Sequence, residues 1–438
     1  MRAHILCARK VLLLTEGNMN ETKKPELLAP AGNLDKLKIA LRYGADAVYI
    51  GGEEFSLRAA ADNFSYEDIL RGVDYAHERG KKVYLTANII PHNKDVSEYG
   101  EYLKKLKNSG LDAVILSDLG MFALTKEIMP DIDIHISTQA NNVNWKSAEA
   151  WYKMGAKRVI LAREMSLSEI SEIRAKTPPE LELEAFVHGA MCISYSGRCL
   201  LSNYMSGRDG NHGECAHPCR WKYFLVEEQR PGEYMPVFEN ERGTFIYNSK
   251  DLCMLRHTDK LIESGLSSFK IEGRVKSEFY VATVVKAYRK AIDDYFEAGS
   301  GGYKFDESLL EEVEKVSHRG YTTGFYFGRP GGEEQNYKSS SYIRNYDMVG
   351  VVLGYDENTG LAKVVQKNRF FRGDTVELLR PYGDFHAMTV EYMTDENGME
   401  IEVANHPQSI VYIKTDVPVE PDTFIRMKRK RSGDSAAK

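Results

Sequence analysis

The chain has 438 residues, 42% of them hydrophobic, and its 58 basic and 64 acidic residues give a net charge of −6. This composition predicts a globular protein of two or three domains with a sizeable core. No run approaches the roughly 18 apolar residues of a membrane-spanning helix. The acidic balance excludes a surface that is basic throughout, although a local basic patch remains compatible with nucleic-acid binding.

Residues 1–24 differ in character from the rest of the chain, and we expect them to be a disordered extension. Met19 stands shortly before the first predicted strand, so we expect translation to begin there, which would remove Cys7 from the natural protein. The apolar run from Val11 to Leu14 is too short for the core of a secretory signal. The sequence therefore predicts a cytoplasmic protein.

Residues 25–319 alternate short β-branched runs with amphipathic stretches, which is the pattern of repeated β/α units. The predicted strands are Leu27–Pro30, Ala47–Ile50, Val83–Ala87, Ala113–Leu116, Ile132–Ser137, Arg158–Leu161, Leu183–Val187 and Ser268–Ile271. A helical pattern follows each of them, including a long one from Ser277 to Ala298. Eight such units predict a TIM-type (β/α)8 barrel, with a doubly wound open sheet as the alternative.

Three further segments interrupt or follow this repeat. Residues 189–253 form a cysteine-rich insertion after the seventh strand, in which Lys222–Glu227 and Tyr234–Phe238 predict a hairpin. A connector, 320–346, leads to short strands and turns over 347–431, which predict a small all-β barrel, and to a tail at 432–438. The basic run Arg426–Arg431 predicts either an RNA-contacting patch or a solvated tail. Loops that follow TIM-barrel strands emerge at the mouth where active sites lie, so we expect the insertion there.

Five of the six cysteines lie within this insertion or at its end, which indicates a shared role. They are Cys192, Cys199, Cys215, Cys219 and Cys253. Disulfides are disfavoured in a reducing compartment, and paired C-x2-C knuckles of a zinc ribbon are absent. Widely spaced thiolates from separate loops suit an iron–sulfur cluster. The spacing alone leaves iron–sulfur, zinc and structural or redox thiols open.

Polar residues that follow or end the predicted strands are candidates for substrate binding at the barrel mouth. They are Arg58, Asn88, Gln139, Asn141, Arg163, His188, Lys270, Glu272 and Arg274. His135, within the fifth strand, is instead expected to be an interior histidine. Several arginines and a lysine at one mouth suit a small dicarboxylate or a phosphate, because guanidinium groups bind carboxylates with two hydrogen bonds.

Four stretches resemble peptidase family U32, the collagenase-like family. They are ELLAPAG at 26–32, DAVYIGG at 46–52, EAFVHGAMCISYSGRCLLS at 184–202 and FKIEGR at 269–274. The resemblance extends over most of the chain and implies a TIM barrel. Understood members of this family resemble oxygen-independent hydroxylases of RNA or of quinone precursors more than they resemble proteases.

The resemblance also implies a 4Fe–4S cluster held by four cysteines. Carried onto this chain, the ligands are Cys192, Cys199, Cys215 and Cys253, with Cys219 as the alternative fourth ligand. Members that hydroxylate RNA depend on prephenate, a dicarboxylate, which matches the expected cationic mouth. The resemblance leaves the catalytic residues unassigned.

Three functions are compatible with these patterns. The first is a tRNA hydroxylase that forms 5-hydroxyuridine at the wobble position with prephenate and the cluster, an assignment that the appended β-domain favours. The second is a collagenase-like peptidase, for which Cys192 or Cys199 with His188 would form a thiol dyad. No H-E-x-x-H or G-x-S-x-G motif supports the peptidase. The third is a noncatalytic RNA-binding subunit with a partner, for instance a paralogous family member.

Overall fold

The structure is a computed structural model, and it describes residues 23–57, 62–192, 194–221, 224–225, 235–236, 249–330 and 342–429. The predictions for the extension, for Met19, for Arg58 and for the tail lie outside these residues. Within these ranges, no helix combines the length and the apolar content that crossing a membrane requires.

The first domain contains ten helices and twelve strands among the described residues. The strands are β1 (Glu26–Pro30), β2 (Ala47–Gly51), β3 (Lys82–Thr86), β4 (Ala113–Leu116), β5 (Asp133–Ile136), β6 (Arg158–Ile160), β7 (Glu182–Gly189), β8 (Phe224–Leu225), β9 (Met235–Pro236), β10 (Asp251–Cys253), β11 (Ser268–Ile271) and β12 (Tyr321–Thr322). The helices are α1 (Leu34–Arg42), α2 (Tyr66–His77), α3 (Asn93–Leu106), α4 (Leu119–Ile128), α5 (Trp145–Met154), α6 (Leu167–Lys176), α7 (Leu201–Ser206), α8 (Thr258–Glu263), α9 (Glu278–Ala298) and α10 (Ser308–Val313).

Strands β1 to β7 and β11 are parallel and close into a barrel. Each of β1 to β6 pairs with the next strand, and β11 closes the ring because Phe269 pairs with Leu27 of β1 and with Ala185 of β7. Strands buried on both faces need near-continuous apolar runs, and β2 and β4 are buried at every position. The predicted TIM barrel is therefore confirmed, and the open sheet is excluded by this closure.

The helices begin where the sequence supplies an N-cap side chain. Asn33, Ser65, Asp118, Asn144, Ser166 and Ser277 each accept a hydrogen bond from a backbone N–H in the first turn of the following helix. Such a cap satisfies a donor that the helix leaves unpaired and contributes about 1 kcal/mol. This local chemistry fixes where these helices begin, and α9 begins at Glu278, one residue after the predicted Ser277.

The insertion differs from its prediction at its C-terminal end. Strand β7 continues to Gly189, two residues beyond the predicted end, and β10 pairs with it in antiparallel fashion, with Cys253 opposite His188. Strand β12 then pairs with β10. The end of the insertion is therefore part of the barrel rim. The backbone of β8 and β9 pairs as an antiparallel hairpin, at the predicted place.

The second domain is an antiparallel half-barrel. Its strands are β13 (Tyr346–Asp356), β14 (Leu361–Gln366), β15 (Phe370–Phe371), β16 (Thr375–Leu379), β17 (His386–Thr389), β18 (Met393–Asp395), β19 (Val403–Ala404), β20 (Ile410–Lys414) and β21 (Phe424–Lys428). Seven of them form one sheet in the order β17-β16-β21-β13-β14-β20-β18. The small β-domain is thus confirmed.

Strand β21 was not predicted, because its residues read as part of a basic patch. It lies between β13 and β16, so it is a central strand of the sheet. Arg426 on this strand is completely buried and pairs with Glu312 of α10 and Glu377 of β16. The prediction of an exposed basic patch is therefore wrong at Arg426. This arginine lies on a central strand of the sheet, and its side chain is buried inside the protein instead of exposed to solvent.

The two domains share one core. Leu379 and Phe424 of the second domain belong to the same buried apolar cluster as the barrel helices. At this interface the Tyr43 hydroxyl donates to the carbonyl oxygens of Leu379 and Asp422, at 2.7 and 2.8 Å. The Lys286 ammonium donates to the carbonyl oxygen of Gly383 at 2.7 Å. These contacts fix the β-domain against α1 and α9.

The variant Arg426→Met should lower the free energy of unfolding by roughly 3 kcal/mol, because it leaves two interface carboxylates with Lys315 as their remaining cation. Chemical denaturation followed by circular dichroism measures the change. The matched control is Arg429→Met on the same chain segment, whose side chain is 54% exposed and pairs with Asp347. That control should change stability by less than about 0.5 kcal/mol. Equal stability of the two variants would contradict the role assigned to Arg426.

Candidate functional site

A cavity of about 420 Å³ lies at the mouth of the barrel, where the carboxyl ends of the strands meet the insertion. One wall comes from strand ends, with Tyr49, Asn88, Arg163 and Lys270 among its residues. The opposite wall comes from the insertion between Ala190 and Cys219. The insertion therefore covers the mouth, as the sequence predicts.

The floor below this cavity is a buried network of charges. Glu184 on β7 has no exposed surface and accepts hydrogen bonds from Lys270 Nζ at 2.9 Å and from Arg158 Nη1 at 2.8 Å. Arg158 also donates to Glu26 at 2.7 Å. Burial alone would raise the pKa of Glu184, but Lys270 and Arg158 hold it below its ordinary value. Lys270 is therefore a paired cation that fixes the floor.

Arg274 is held rigidly at the edge of the cavity. It is 3% exposed and donates to the hydroxyls of Ser56 and Thr86 and to the amide oxygen of Asn63. A Cβ atom at Gly51 would overlap its guanidinium, and one at Gly32 would overlap its carbonyl oxygen. Only glycine leaves room at these two places.

Some buried polar atoms in the lining lack hydrogen-bond partners among the described residues. They include Nε of Arg163 and Oε1 of Gln139. The Arg163 guanidinium lies 4.1 Å from the centre of the Phe186 ring, and its Nη2 is 3.8 Å from Glu272 Oε2. Buried polar atoms are normally paired, so these two indicate a polar ligand. The Arg163 donor suits an anionic group, whereas the Gln139 oxygen accepts and suits a hydroxyl or another donor.

Four of the five clustered cysteines line this cavity, namely Cys192, Cys199, Cys215 and Cys219. Hydrogen bonds within the insertion hold their segment, such as Ala216 N–H to the Ser202 hydroxyl at 3.0 Å and Asn211 to the Cys199 carbonyl at 3.1 Å. Four thiols on one wall are a donor set suited to a thiolate-bound iron–sulfur cluster. In the part of the chain that the structure describes, no three potential ligands stand close enough together to hold a metal ion.

Cys253 and His188 lie outside the cavity lining. His188 is buried, with the rings of Tyr280, Tyr288 and Tyr321 within 6.0 Å of it, and this burial lowers its pKa to about 3. Burial raises the pKa of the Cys253 thiol to about 11. Both placements differ from the expected mouth positions, because β7 extends past its predicted end and β10 covers that extension.

The other predicted site residues divide into three groups. Asn88, Gln139, Arg163, Lys270, Glu272 and Arg274 line the cavity. Asn141 does not: it has a left-handed backbone conformation, and its side chain donates to the carbonyls of Gln139 and Ser196, so it ties the insertion to the barrel. Arg58 lies outside the described residues.

The lining residues that escaped the sequence analysis include Lys276, Arg319 and Tyr342. Lys276 follows Arg274 in the loop after β11, so its position shortly after the end of that strand could have identified it as a candidate site residue. Arg319 is the last residue before the connector and Tyr342 lies within it, and no strand-end rule marks such positions.

Known proteins resemble this chain along most of its length. A model of peptidase family U32 matches residues 32–336, and a model of the peptidase family U32 C-terminal domain matches 344–426. tRNA hydroxylation protein P1 of Bacillus subtilis is 43% identical over 95% of this chain and 98% of its own length. tRNA hydroxylation protein P of Escherichia coli is 41% identical over 94% of this chain and 98% of its own. tRNA hydroxylation protein P2 of Bacillus subtilis is 36% identical over 70% of this chain and 98% of its own.

The buried His135 beneath the cavity should make stability depend on pH. Desolvation, with Arg158 and Lys270 nearby, holds the pKa of His135 well below 6.5. The unfolded chain binds this proton below pH 6.5 and the folded chain does not, so stability is complete above that pH and falls below it. Between pH 7 and 5 the unfolding free energy should drop by up to about 2 kcal/mol more than in His135→Asn.

Urea denaturation at several pH values measures this slope. His406→Asn, at an exposed histidine, is the matched control. Identical slopes for wild type and His135→Asn would show that His135 has the same pKa in the folded and the unfolded chain, which would contradict the prediction.

Proposed function

The chain belongs to peptidase family U32, and from this premise we propose that it is an RNA-modifying hydroxylase that acts on tRNA. The observation that carries the proposal is the 43% identity to tRNA hydroxylation protein P1, which extends over 98% of that protein. Similarity over both domains supports a shared substrate better than similarity over the barrel alone, because substrate choice depends on the whole binding surface.

The finer proposal is that the chain forms 5-hydroxyuridine at the wobble position and uses prephenate. Arg163 and Lys276 line the cavity with cationic groups, and among the described residues no carboxylate forms an ion pair with either of them within 3.5 Å. Two cations in a cavity of about 420 Å³ suit a small dicarboxylate. Charge-assisted hydrogen bonds of this kind contribute about 1.5–3 kcal/mol each.

We assign the thiol-lined wall to a 4Fe–4S cluster. Cys192, Cys199 and Cys215 are the ligands common to both candidate sets, and the fourth is Cys253 by family resemblance or Cys219 by its position on the cavity wall. When bound, such a cluster supplies one-electron chemistry. Cytoplasmic location is part of the same proposal, since exposed thiols of this kind need a reducing compartment.

The residues of the chain itself bind and orient the dicarboxylate. Arg163 holds one carboxylate, and Oε1 of Gln139 accepts a hydrogen bond from a donor group of the ligand, such as a hydroxyl. Glu272, at 3.8 Å from Arg163, limits the rotation of that guanidinium. The insertion covers the bound ligand and excludes bulk water, which strengthens each of these contacts.

Peptidase activity is the alternative that the family name suggests. A thiol dyad of Cys192 or Cys199 with His188 requires the imidazole to reach the thiol. His188 does not line the cavity that these cysteines line, and its pKa of about 3 keeps it neutral among tyrosine rings. The arrangement therefore favours modification over proteolysis. A noncatalytic RNA-binding role beside a paralogous subunit is the third candidate. Bacillus subtilis has two relatives of this chain, tRNA hydroxylation proteins P1 and P2, so paralogous family members occur in one organism.

Deleting the gene should remove 5-hydroxyuridine derivatives from bulk tRNA, and the wild-type chain should restore them. Arg163→Gln should restore them poorly, because loss of one charge-assisted contact weakens a dicarboxylate roughly ten- to a hundredfold. Arg71→Gln, at an arginine with 66% of its side chain exposed, is the matched control and should restore them fully. Mass spectrometry of tRNA nucleosides provides the measurement. Normal derivatives in a deletion strain without a paralogue would refute the tRNA proposal.

Anaerobic purification should yield a protein with bound iron and sulfide, and Cys192→Ala or Cys199→Ala should lose them, because a cluster lacking one thiolate is labile. Of Cys219→Ala and Cys253→Ala, only the variant at the fourth ligand should lose iron, and the other serves as its matched control. Iron analysis and the visible absorption spectrum measure both. Stoichiometric zinc in the absence of iron would contradict the cluster.

A further inference from the structure

Tyr342 both lines the cavity and reaches solvent. It lines the cavity beside Lys276 and Arg319. It is nevertheless 46% exposed, so part of the ring is open to solvent at the mouth. The ring therefore lies at the boundary between the cavity and solvent, where a ligand larger than the cavity would extend outward.

The ring is also fixed in place. Ile343 N–H donates to the His318 carbonyl at 2.7 Å, and His318 N–H donates to the Ile343 carbonyl at 3.2 Å. Nη1 of Arg319 donates to the Tyr342 hydroxyl at 2.9 Å, and Nη2 of Arg319 donates to Asp251 at 2.7 Å. Arg319 and Asp251 are both buried. Stacking of a ligand on this ring costs little side-chain entropy, because the Tyr342 side chain is already held in place.

Two cations lie against this ring. Lys276 Nζ is 4.2 Å from the ring centre, and the guanidinium carbon of Arg319 is 4.8 Å from it. An aromatic face beside cations matches a nucleotide, which presents a flat base and an anionic phosphate together. Single-stranded RNA is recognised by this combination, because its unpaired bases can leave the stack and lie on aromatic side chains.

We propose that Tyr342 is a base-stacking residue that holds an unpaired nucleotide of the RNA loop at the mouth of the cavity. The inference rests on the proposed function and adds to it a specific point of contact with the substrate. A base that enters the cavity must leave the loop, which costs stacking energy with its neighbours. Stacking of a nucleotide on Tyr342 offsets part of that cost.

The binding of a fluorescein-labelled anticodon stem-loop, with uridine at the wobble position, tests this proposal by fluorescence anisotropy. Base–aromatic stacking contributes about 1–3 kcal/mol, so Tyr342→Leu should weaken binding about 5- to 150-fold. Tyr342→Phe keeps the ring and should bind within about threefold of wild type. Tyr382→Leu is the matched control: Tyr382 is 61% exposed, does not line the cavity, and should bind like wild type.

An abasic site moved through the loop separates stacking from a structural role. At one position the abasic RNA should bind wild type as weakly as the intact RNA binds Tyr342→Leu, and the two changes together should cost no more than either alone. The wild-type series alone gives the position at which loss of the base weakens binding, and Tyr342→Leu then shows whether that base couples to the ring.

The outcomes are distinguishable from those that test the proposed function. If wild type does not bind the stem-loop, the tRNA proposal fails, and the inference fails with it. If wild type binds but Tyr342→Leu binds equally well, or Tyr342→Phe is as weak as Tyr342→Leu, or no abasic position couples to the ring, the stacking role alone is overturned.

Discussion

The charge of Glu184 is the constraint on which the barrel and its cavity depend. A carboxylate without exposed surface is stable only with cationic partners, and Lys270 and Arg158 supply them. Glu184 lies on β7, Lys270 on β11 and Arg158 on β6, and Arg158 continues the network to Glu26 on β1. The network therefore crosses the seam where β11 joins the first strand to the seventh. Lys270 of this network also lines the cavity, together with Arg163 and Arg274.

The repeated pattern of the sequence predicts most of the fold because its causes are local. Buried apolar runs mark the strands, and Asn33, Ser65 and Ser166 mark helix starts through hydrogen bonds to the next turn. Strand β21 escapes this pattern because Arg426 interrupts its apolar run. That arginine is tolerated because Glu377 of the same sheet and Glu312 of the barrel domain both pair with it. No local pattern in the sequence records the pairing with Glu312.

The candidate site is predictable where a side chain directly follows a barrel strand, as at Asn88, Arg163 and Arg274. It is not predictable where a long-range pairing decides the environment. His188 is enclosed because β10, more than sixty residues later, pairs with the end of β7. Tyr342 reaches the mouth because Ile343 pairs with His318 beyond the barrel. The glycines at 32 and 51 stood out in the sequence as parts of motifs, and the volume of Arg274 explains both.

The core shared by the two domains has a consequence for how such a chain evolves. A shortened form that ended at the connector would expose the face of α1 and α9 that now meets Leu379 and Phe424. It would also leave Glu312 without Arg426. A chain without the β-domain would therefore need compensating substitutions at each of these contacts. Gain of the domain in an ancestor would have demanded a matching set.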